Sequence, residues 1–257
     1  MQTRVFPRRR SAVRLLCAGS LMILLLTAAS AFGAAITGSA GSGWQTFPDP
    51  LHELGNPYWD SPSWDGPQKN VGYLLCGLAG VTPPWWGNPD GSADLNFSFQ
   101  GQGALHATMF LAYAGRAGVN EFGWYDLDAP AVLHPIFLGG TVPGTETMVN
   151  TSEDFGFYFK TPEPEIGDQV YYTQSALNPG GETSHTHFAV FGESLSSSEQ
   201  IYWLGMEDLR AGRTDNDYQD MIVRVQANPE PSTFILLAGG AGLLWFLRRR
   251  SRQAASR

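Results

Sequence analysis

Apolar and polar residues alternate most regularly in the middle of the chain. Residues 154–161 place Phe155, Phe157 and Phe159 at every second position, and residues 93–99 have the same period. Successive side chains of a strand point to opposite faces of the sheet. This period therefore predicts strands that bury one face.

Segments of similar character recur at near-regular spacing, with turn residues between them. They cover residues 105–115, 120–125, 131–140, 168–175, 185–193, 199–208 and 218–226. The apolar run at 105–115 predicts a strand buried on both faces, whereas Pro135 indicates an edge strand or a bend. The 30 Gly and 17 Pro leave little room for long helices. We predict an all-β fold, an antiparallel β-sandwich or jelly-roll-like domain, over residues 93–226.

The segment before this domain, residues 32–92, is rich in Gly, Pro, Ser and Trp. Turn signals such as Asn56-Pro57 interrupt it, so we predict an irregular region. Residues 71–79 favour a regular element, either a strand or a short helix.

The first 31 residues have the three parts of a secretory signal peptide. Arginines precede an apolar run at residues 15–29, and small residues follow it. We therefore predict a signal-peptide helix over residues 1–31 that engages the secretion machinery. The paired arginines leave the twin-arginine route open, but the residues after them favour the general secretory route.

The C-terminal segment, residues 228–257, also has three parts in a fixed order. The first is a short polar element made of Pro229, Glu230, Pro231 and Ser232. The second is an uncharged run of fifteen residues, 233–247. The third is a basic cluster that includes Arg248, Arg249 and Arg250. The apolar run predicts a single transmembrane helix capped by Ser232, with the arginines on the cytoplasmic side.

This tail resembles the PEP-CTERM sorting signal of Gram-negative bacteria. The resemblance implies recognition by an exosortase, a membrane cysteine protease, and cleavage near residues 229–232. It further implies transient anchoring in the inner membrane, then transfer to the cell surface or the extracellular matrix, and an association with exopolysaccharide. The alternative is an ordinary anchor helix, which has no need of the Pro-Glu-Pro-Ser element.

Removal of residues 1–31 and 229–257 changes the charge balance sharply. The remaining chain keeps six basic and 23 acidic residues, a net charge of −17, whereas the whole chain has −8. Such a domain repels nucleic acid and attracts divalent cations. The alternative is that the acidity serves solubility alone.

Acidic residues concentrate near the end of the predicted domain. Five carboxylates fall within fourteen residues: Glu207, Asp208, Asp215, Asp217 and Asp220. Hard oxygens on a turn are the ligands that Ca²⁺ prefers, so we predict a calcium site here. The alternative is a solvated hairpin turn in which Arg210, Arg213 or Arg224 pairs with some of the carboxylates.

Residues 120–226 resemble a β-sandwich domain of unknown function found in PEP-CTERM and other secreted bacterial proteins. The resemblance rests on an acidic pair at Glu207 and Asp208, then a Gly-containing turn and the pattern D-x-D-[FY]-x-D at residues 215–220. It implies a β-sandwich and gives no activity.

Other residues that could carry chemistry give weaker signals. His185 and His187 have a spacing that could hold a transition metal on a strand. The alternative is that His185 lies in a turn and His187 at the start of the strand. Exposed tryptophans could stack on sugar rings, or they could anchor loops and the core. These are Trp44, Trp59, Trp64, Trp85 and Trp86.

The sequence lacks a G-x-S-x-G elbow, an H-E-x-x-H motif and a phosphate-binding Gly loop. We therefore predict an exported, non-catalytic protein with a structural or adhesive role and no cofactor requirement apart from the Ca²⁺ site. One alternative is a calcium-dependent carbohydrate-binding module. A second is a secreted polysaccharide hydrolase, whose paired carboxylates a sequence cannot locate.

Overall fold

Thirteen strands and little helix make up the part of the chain that the computed structural model describes. The described residues are 35–37, 44–47, 58–60, 69–87, 97–100, 103–113, 115, 118–151, 154–163, 165–196, 199–227, 240, 242, 244, 245 and 248. The chain divides into two units, and the larger, Phe32–Pro229, contains both sheets.

The first sheet has six strands, and each pairs with its neighbour in antiparallel fashion. They are β1 (Ala35–Thr37), β4 (Ser98–Gln100), β6 (Glu121–Asp126), β7 (His134–Leu138), β9 (Phe155–Glu163) and β10 (Gly167–Tyr172). Their order is β1-β4-β9-β6-β7, and β10 also pairs with β9. Strand β7, which contains Pro135, lies at an edge, as the sequence predicts.

The second sheet has seven antiparallel strands. They are β2 (Trp44–Thr46), β3 (Trp85–Gly87), β5 (Gly103–Ala112), β8 (Glu146–Thr151), β11 (Phe188–Ser196), β12 (Glu199–Met206) and β13 (Met221–Ala227). Their order is β2-β3-β11-β12-β13-β5-β8. The neighbours β12 and β13 are joined by the segment that contains the five predicted carboxylates, so this pair of strands positions the candidate site.

The two sheets pack face to face over one apolar core. The alternating Phe155, Phe157 and Phe159 of β9 are fully buried, and they contact a cluster that includes Leu204 and Val223 of the second sheet. The prediction of an antiparallel β-sandwich is confirmed, because both sheets contribute side chains to this cluster.

A second apolar cluster covers the other face of the second sheet. A short helix α1 (Val71–Leu74) continues into a π-helical turn (Leu75–Ala79) and buries Val71 and Leu75 there. Trp59 and Trp203 belong to the same cluster. Residues 71–79 are therefore a helix, one of the two predicted options. Strands β1, β2 and β3 also show that residues 32–92 contribute regular elements to both sheets.

The prediction that residues 105–115 are buried on both faces is wrong. Strand β5 buries Leu105, Ala107 and Met109, while the residues between them are only half-buried. The strand that is buried on both faces at its start is β9, in which Tyr158 is fully buried between the phenylalanines. Its hydroxyl donates to Glu121 Oε1 at 2.5 Å, so the polar end of this buried side chain has a hydrogen-bond partner.

The targeting segments fall mostly outside the described residues. The predicted signal peptide at 1–31 lies there, as do Pro229, Glu230, Pro231 and Ser232 and most of the predicted helix at 233–247. Arg249 and Arg250 lie there too, whereas Arg248 is described and exposed. Among the described residues, no helix has the length and apolar character needed to cross a membrane.

Candidate metal centre

The acidic residues meet because they stand at the two ends of one hairpin loop. Glu207 and Asp208 follow β12 directly, and Asp220 immediately precedes β13. The strands pair as far as Gly205 and Ile222, and the amide of Asp220 donates to the carbonyl of Met206 at 3.1 Å. Strand pairing therefore holds the loop ends together, and residues 207–220, named here the acidic loop, must double back.

The backbone of the acidic loop bends sharply on both sides of Asp217. Asn216 and Tyr218 have φ of 57° and 52°, the left-handed region that residues other than glycine rarely adopt. Tyr218 is held there because its buried hydroxyl donates to the carbonyl of Thr186 at 2.9 Å. The carbonyl of Asp217 in turn accepts from the amide of Val71 at 2.8 Å. The α1 segment thus fixes the loop from outside.

The structure brings all five predicted carboxylates together as two triads that share Glu207. One triad, the strand-end triad, contains Glu207, Asp208 and Asp220. The other, the loop triad, contains Glu207, Asp215 and Asp217. Within each triad the potential ligand atoms all lie within 4.8 Å of one another. Two oxygens bound to one Ca²⁺ lie at most about 5 Å apart, so each triad has a spacing suited to that ion.

These carboxylates are largely withdrawn from water. Glu207, Asp208 and Asp217 are 0%, 4% and 5% exposed, and Asp215 and Asp220 are half-buried. A solvated turn would keep its carboxylates in water instead. The arginines that this alternative required also pair elsewhere, because Arg210 and Arg213 both contact Glu165. Arg224 likewise pairs with Glu193, with its Nε 3.5 Å from Glu193 Oε2.

Hydrogen bonds orient most of the carboxylates but leave one buried oxygen without a donor. The amide of Leu209 donates to Glu207 Oε1 at 3.0 Å, whereas Glu207 Oε2 is buried with no hydrogen-bond partner. The amide of Asp208 donates to Asp220 Oδ2 at 2.6 Å. Gln219 holds Asp217 through both its backbone amide and its side-chain amide. Unpaired buried oxygens are costly, so Glu207 Oε2 marks a place for a positive partner.

The electrostatics of the loop favour protonation as long as no cation is present. Burial raises the pKa of Glu207 well above its usual range, and the charges of Asp220 and Asp215 add to the effect. Burial likewise raises the pKa of Asp220, with further contributions from Asp208, Asp217 and Asp215. A bound divalent cation would reverse this balance, because it favours the ionised form of every carboxylate it contacts.

Asn120 also contacts this group of carboxylates, although no sequence pattern pointed to it. Its side chain is fully buried, and its Nδ2 donates to Asp208 Oδ2 at 3.1 Å. Its Oδ1 is buried without a hydrogen-bond partner. Asn120 comes from the loop between β5 and β6, 88 residues before Asp208. No local pattern could have connected the two residues.

The two histidines lie beside the acidic loop but serve packing. His187 is fully buried and stacks on Tyr171 with ring centroids 3.4 Å apart. Its Nδ1 lies 3.1 Å from the carbonyl oxygen of Glu207 and its Nε2 lies 3.2 Å from Glu182 Oε2. Both ring nitrogens are therefore engaged. Among the described residues, neither potential metal-binding triad includes His185 or His187.

Most of the tryptophans considered for sugar stacking are core residues. Trp59 and Trp86 are buried in the cluster beneath α1, and Trp44 packs against the main core, where it stacks on Tyr202. Trp85 is the exception, since it is 37% exposed. Trp64 lies outside the described residues.

Comparison with protein families matches residues 144–228 to a domain of unknown function, DUF4114. That segment contains the whole acidic loop. Comparison with curated proteins gives no match.

The solved structures that match part of this chain include two bacterial lectins. The Ralstonia solanacearum high-affinity mannose-binding lectin is 11% identical, with a TM-score of 0.30. The Chromobacterium violaceum lectin CV2L, in complex with alpha-methyl-fucoside, is 12% identical, with a TM-score of 0.28. Each alignment covers 50% of this chain and 93% of the lectin.

Proposed function

We propose that this chain is an exported β-sandwich protein with a non-catalytic structural or adhesive role, and that its acidic loop binds Ca²⁺. The observation that carries the proposal is the convergence of four other carboxylates on the buried side chain of Glu207. Ca²⁺ accepts roughly six to eight oxygen ligands in flexible geometry. A loop that offers carboxylates from both of its ends suits that requirement.

The cost of the metal-free loop supports the same proposal. Several buried carboxylates repel one another, and burial of an ionised group without a compensating partner is strongly unfavourable. The nearby arginines compensate Glu165 and Glu193. A bound divalent cation would stabilise the ionised loop and hold β12, β13 and α1 in their observed relation.

A thermal-unfolding experiment tests the calcium proposal. Because Ca²⁺ would bind the native state and not the unfolded chain, a concentration near 100 times the dissociation constant should stabilise the protein by about 2.7 kcal/mol. We expect Tm to rise by several degrees with Ca²⁺, and much less with Mg²⁺, which requires a tighter octahedron.

Two controls separate specific binding from general screening of the acidic domain. NaCl at matched ionic strength should give a smaller shift than Ca²⁺. The Ca²⁺ shift should be reduced in Asp217→Asn and remain at the wild-type size in Glu146→Gln, which removes an exposed carboxylate on β8. Equal shifts with Ca²⁺ and NaCl, or an unchanged Ca²⁺ shift in Asp217→Asn, would contradict the proposal.

A second candidate function is calcium-dependent binding of a carbohydrate. Each triad supplies three carboxylates, fewer than Ca²⁺ requires, so an ion held there would keep positions for other oxygens. Neighbouring hydroxyls of a sugar are suitable ligands for such positions, and exopolysaccharide would be the corresponding partner. A glycan array with and without a chelator tests this function: signals that require Ca²⁺ support it, and signals that persist with chelator count against it.

Export and sorting form the other half of the proposal. The signal peptide would engage the secretion machinery, and the tail would anchor the chain transiently in the inner membrane until an exosortase cleaves it. The net charge of −17 in the remaining domain argues against nucleic acid as a partner.

Turnover of a polysaccharide panel by the purified protein would instead support the third possibility, a secreted hydrolase.

A further inference from the structure

The acidic loop offers two sets of ligands rather than one. The strand-end triad and the loop triad each bring three carboxylates within 4.8 Å, and Glu207 is the member common to both. Its two oxygens have different environments: Oε1 accepts from the amide of Leu209, whereas Oε2 is buried and has no hydrogen-bond partner. A carboxylate with this position can place one oxygen toward each triad.

The other members of the triads are oriented by separate hydrogen bonds. Asp220 is fixed on the strand-end side because the amide of Asp208 donates to it, and Asp208 is itself contacted by Asn120. Asp217 is fixed on the loop side by Gln219. Apart from Glu207, which both triads share, the two triads are therefore oriented by different hydrogen bonds.

Charge balance also favours more than one ion. Five ionised carboxylates carry five negative charges, and three of the five residues are almost fully buried. One Ca²⁺ would leave three of these charges uncompensated, whereas two would leave one. Arg210 and Arg213, the basic residues of the acidic loop, form ion pairs with Glu165 outside it. Buried charge needs a close partner of opposite sign, and a second divalent cation supplies it.

We propose that the acidic loop binds two Ca²⁺ ions, one in each triad, bridged by the carboxylate of Glu207. This inference rests on the proposed calcium function and specifies its stoichiometry. Asn120 lies at the strand-end ion, where a flip of its side-chain amide would replace the donor facing Asp208 with a carbonyl oxygen, a ligand that Ca²⁺ accepts.

Equilibrium dialysis of the full-length protein in detergent against radiolabelled Ca²⁺ counts the bound ions. We expect two ions per chain in the wild type and one in Asp217→Asn, which alters the loop triad only. Glu207→Gln should bind neither ion at concentrations that saturate the wild type. Glu146→Gln, an exposed carboxylate on β8, should keep both.

Near-ultraviolet circular dichroism confirms that each variant is folded, and Asp220→Asn provides a second single-triad variant if Asp217→Asn does not fold. A count of one in the wild type overturns the two-ion inference while the calcium function stands. A folded Asp217→Asn that binds any number of ions other than one also overturns it. A folded Glu207→Gln that binds two ions overturns it as well. A count of zero in the folded wild type overturns the calcium function itself.

Discussion

At the scale of single residues, Glu207 is the side chain on which the proposed calcium site depends. It is fully buried, its pKa is raised, and it belongs to both triads. Its backbone carbonyl also lies 3.1 Å from the ring of His187, so its position is fixed from two directions. A residue this constrained is costly to keep unless it has a partner.

The raised pKa of Glu207 predicts an unusual pH dependence for the metal-free protein. Between the unfolded-state pKa of about 4 and the higher folded-state pKa, the folded protein holds the extra proton, so stability decreases as pH rises. The slope is at most about 1.4 kcal/mol per pH unit for one proton. We expect the free energy of unfolding in chelator, measured with urea, to fall more steeply above pH 4 in the wild type than in Glu207→Gln. Identical slopes in the two proteins would contradict this.

His185 predicts the opposite slope on the acid side. Burial lowers its pKa from 6.5 to about 4, with a further contribution from His187, and its Nε2 is buried without a hydrogen-bond partner. The nearby Glu182 opposes this shift in part. The unfolded chain takes up the proton first, so stability is lost as pH falls from 6.5 toward 4, by about 3 kcal/mol. His185→Asn should remove this part of the loss in urea titrations, and an unchanged acid slope would refute the assignment.

At the scale of elements, the sequence predicted nine of the thirteen described strands and missed β1, β2, β3 and the six-residue β8. Strand β9 was recognisable because its phenylalanines alternate over several residues. Strands β1, β2 and β3 have three residues each and lie among Gly, Pro and Trp, so no period could show them. They exist because distant strands offer them hydrogen bonds, as β11 does for Trp85 and Trp86. Pairing of this kind is a property of the folded chain.

The contact between α1 and the second sheet depends on one glycine. A Cβ on Gly205 would lie 2.7 Å from the carbonyl oxygen of Tyr218 and 2.7 Å from Val71 Cγ2. Neither atom can move without shifting α1 or the acidic loop. We expect Gly205→Ala to destabilise the protein by at least ~1–3 kcal/mol, the usual cost of overpacking, and to weaken the Ca²⁺-dependent rise in Tm.

Gly180→Ala is the matched control, because a Cβ at that position meets nothing within 4 Å. Its Tm and its response to Ca²⁺ should equal those of the wild type. If Gly205→Ala behaved like Gly180→Ala, the close approach of α1 to the acidic loop would have no energetic weight.

At the scale of the whole molecule, the sequence predicted the five carboxylates of the candidate site but not Asn120 or the burial of Glu207. All five carboxylates lie within one hairpin loop, so closure of β12 on β13 was enough to bring them together. Asn120 reaches the site only because the loop between β5 and β6 packs beside it. The burial of Glu207 likewise comes from tertiary packing. The sequence of the loop therefore predicted which carboxylates come together, whereas their division into two triads is a property of the fold.

The charge of the whole chain depends on whether its ends are retained. Ten of the sixteen basic residues lie in the segments 1–31 and 229–257, so their removal changes the net charge from −8 to −17. A more negative domain attracts Ca²⁺ more strongly and is screened more by salt. The proposed processing would therefore strengthen the proposed binding of Ca²⁺ through electrostatics, and processing can be tested directly.

We predict that the mature protein lacks both ends. Mass spectrometry of surface and secreted fractions should show a chain that starts near residue 32 and ends near residues 228–231. Replacement of Pro229 and Pro231 by Ala should block the second cleavage, because the segment before the apolar run would no longer be held extended for the protease. The variant should accumulate in the inner membrane with Arg248 retained.

Glu146→Gln, which leaves the tail unchanged, should be processed normally. Recovery of most of the mature wild-type protein with Arg248 still attached would refute sorting by cleavage and favour a permanent anchor.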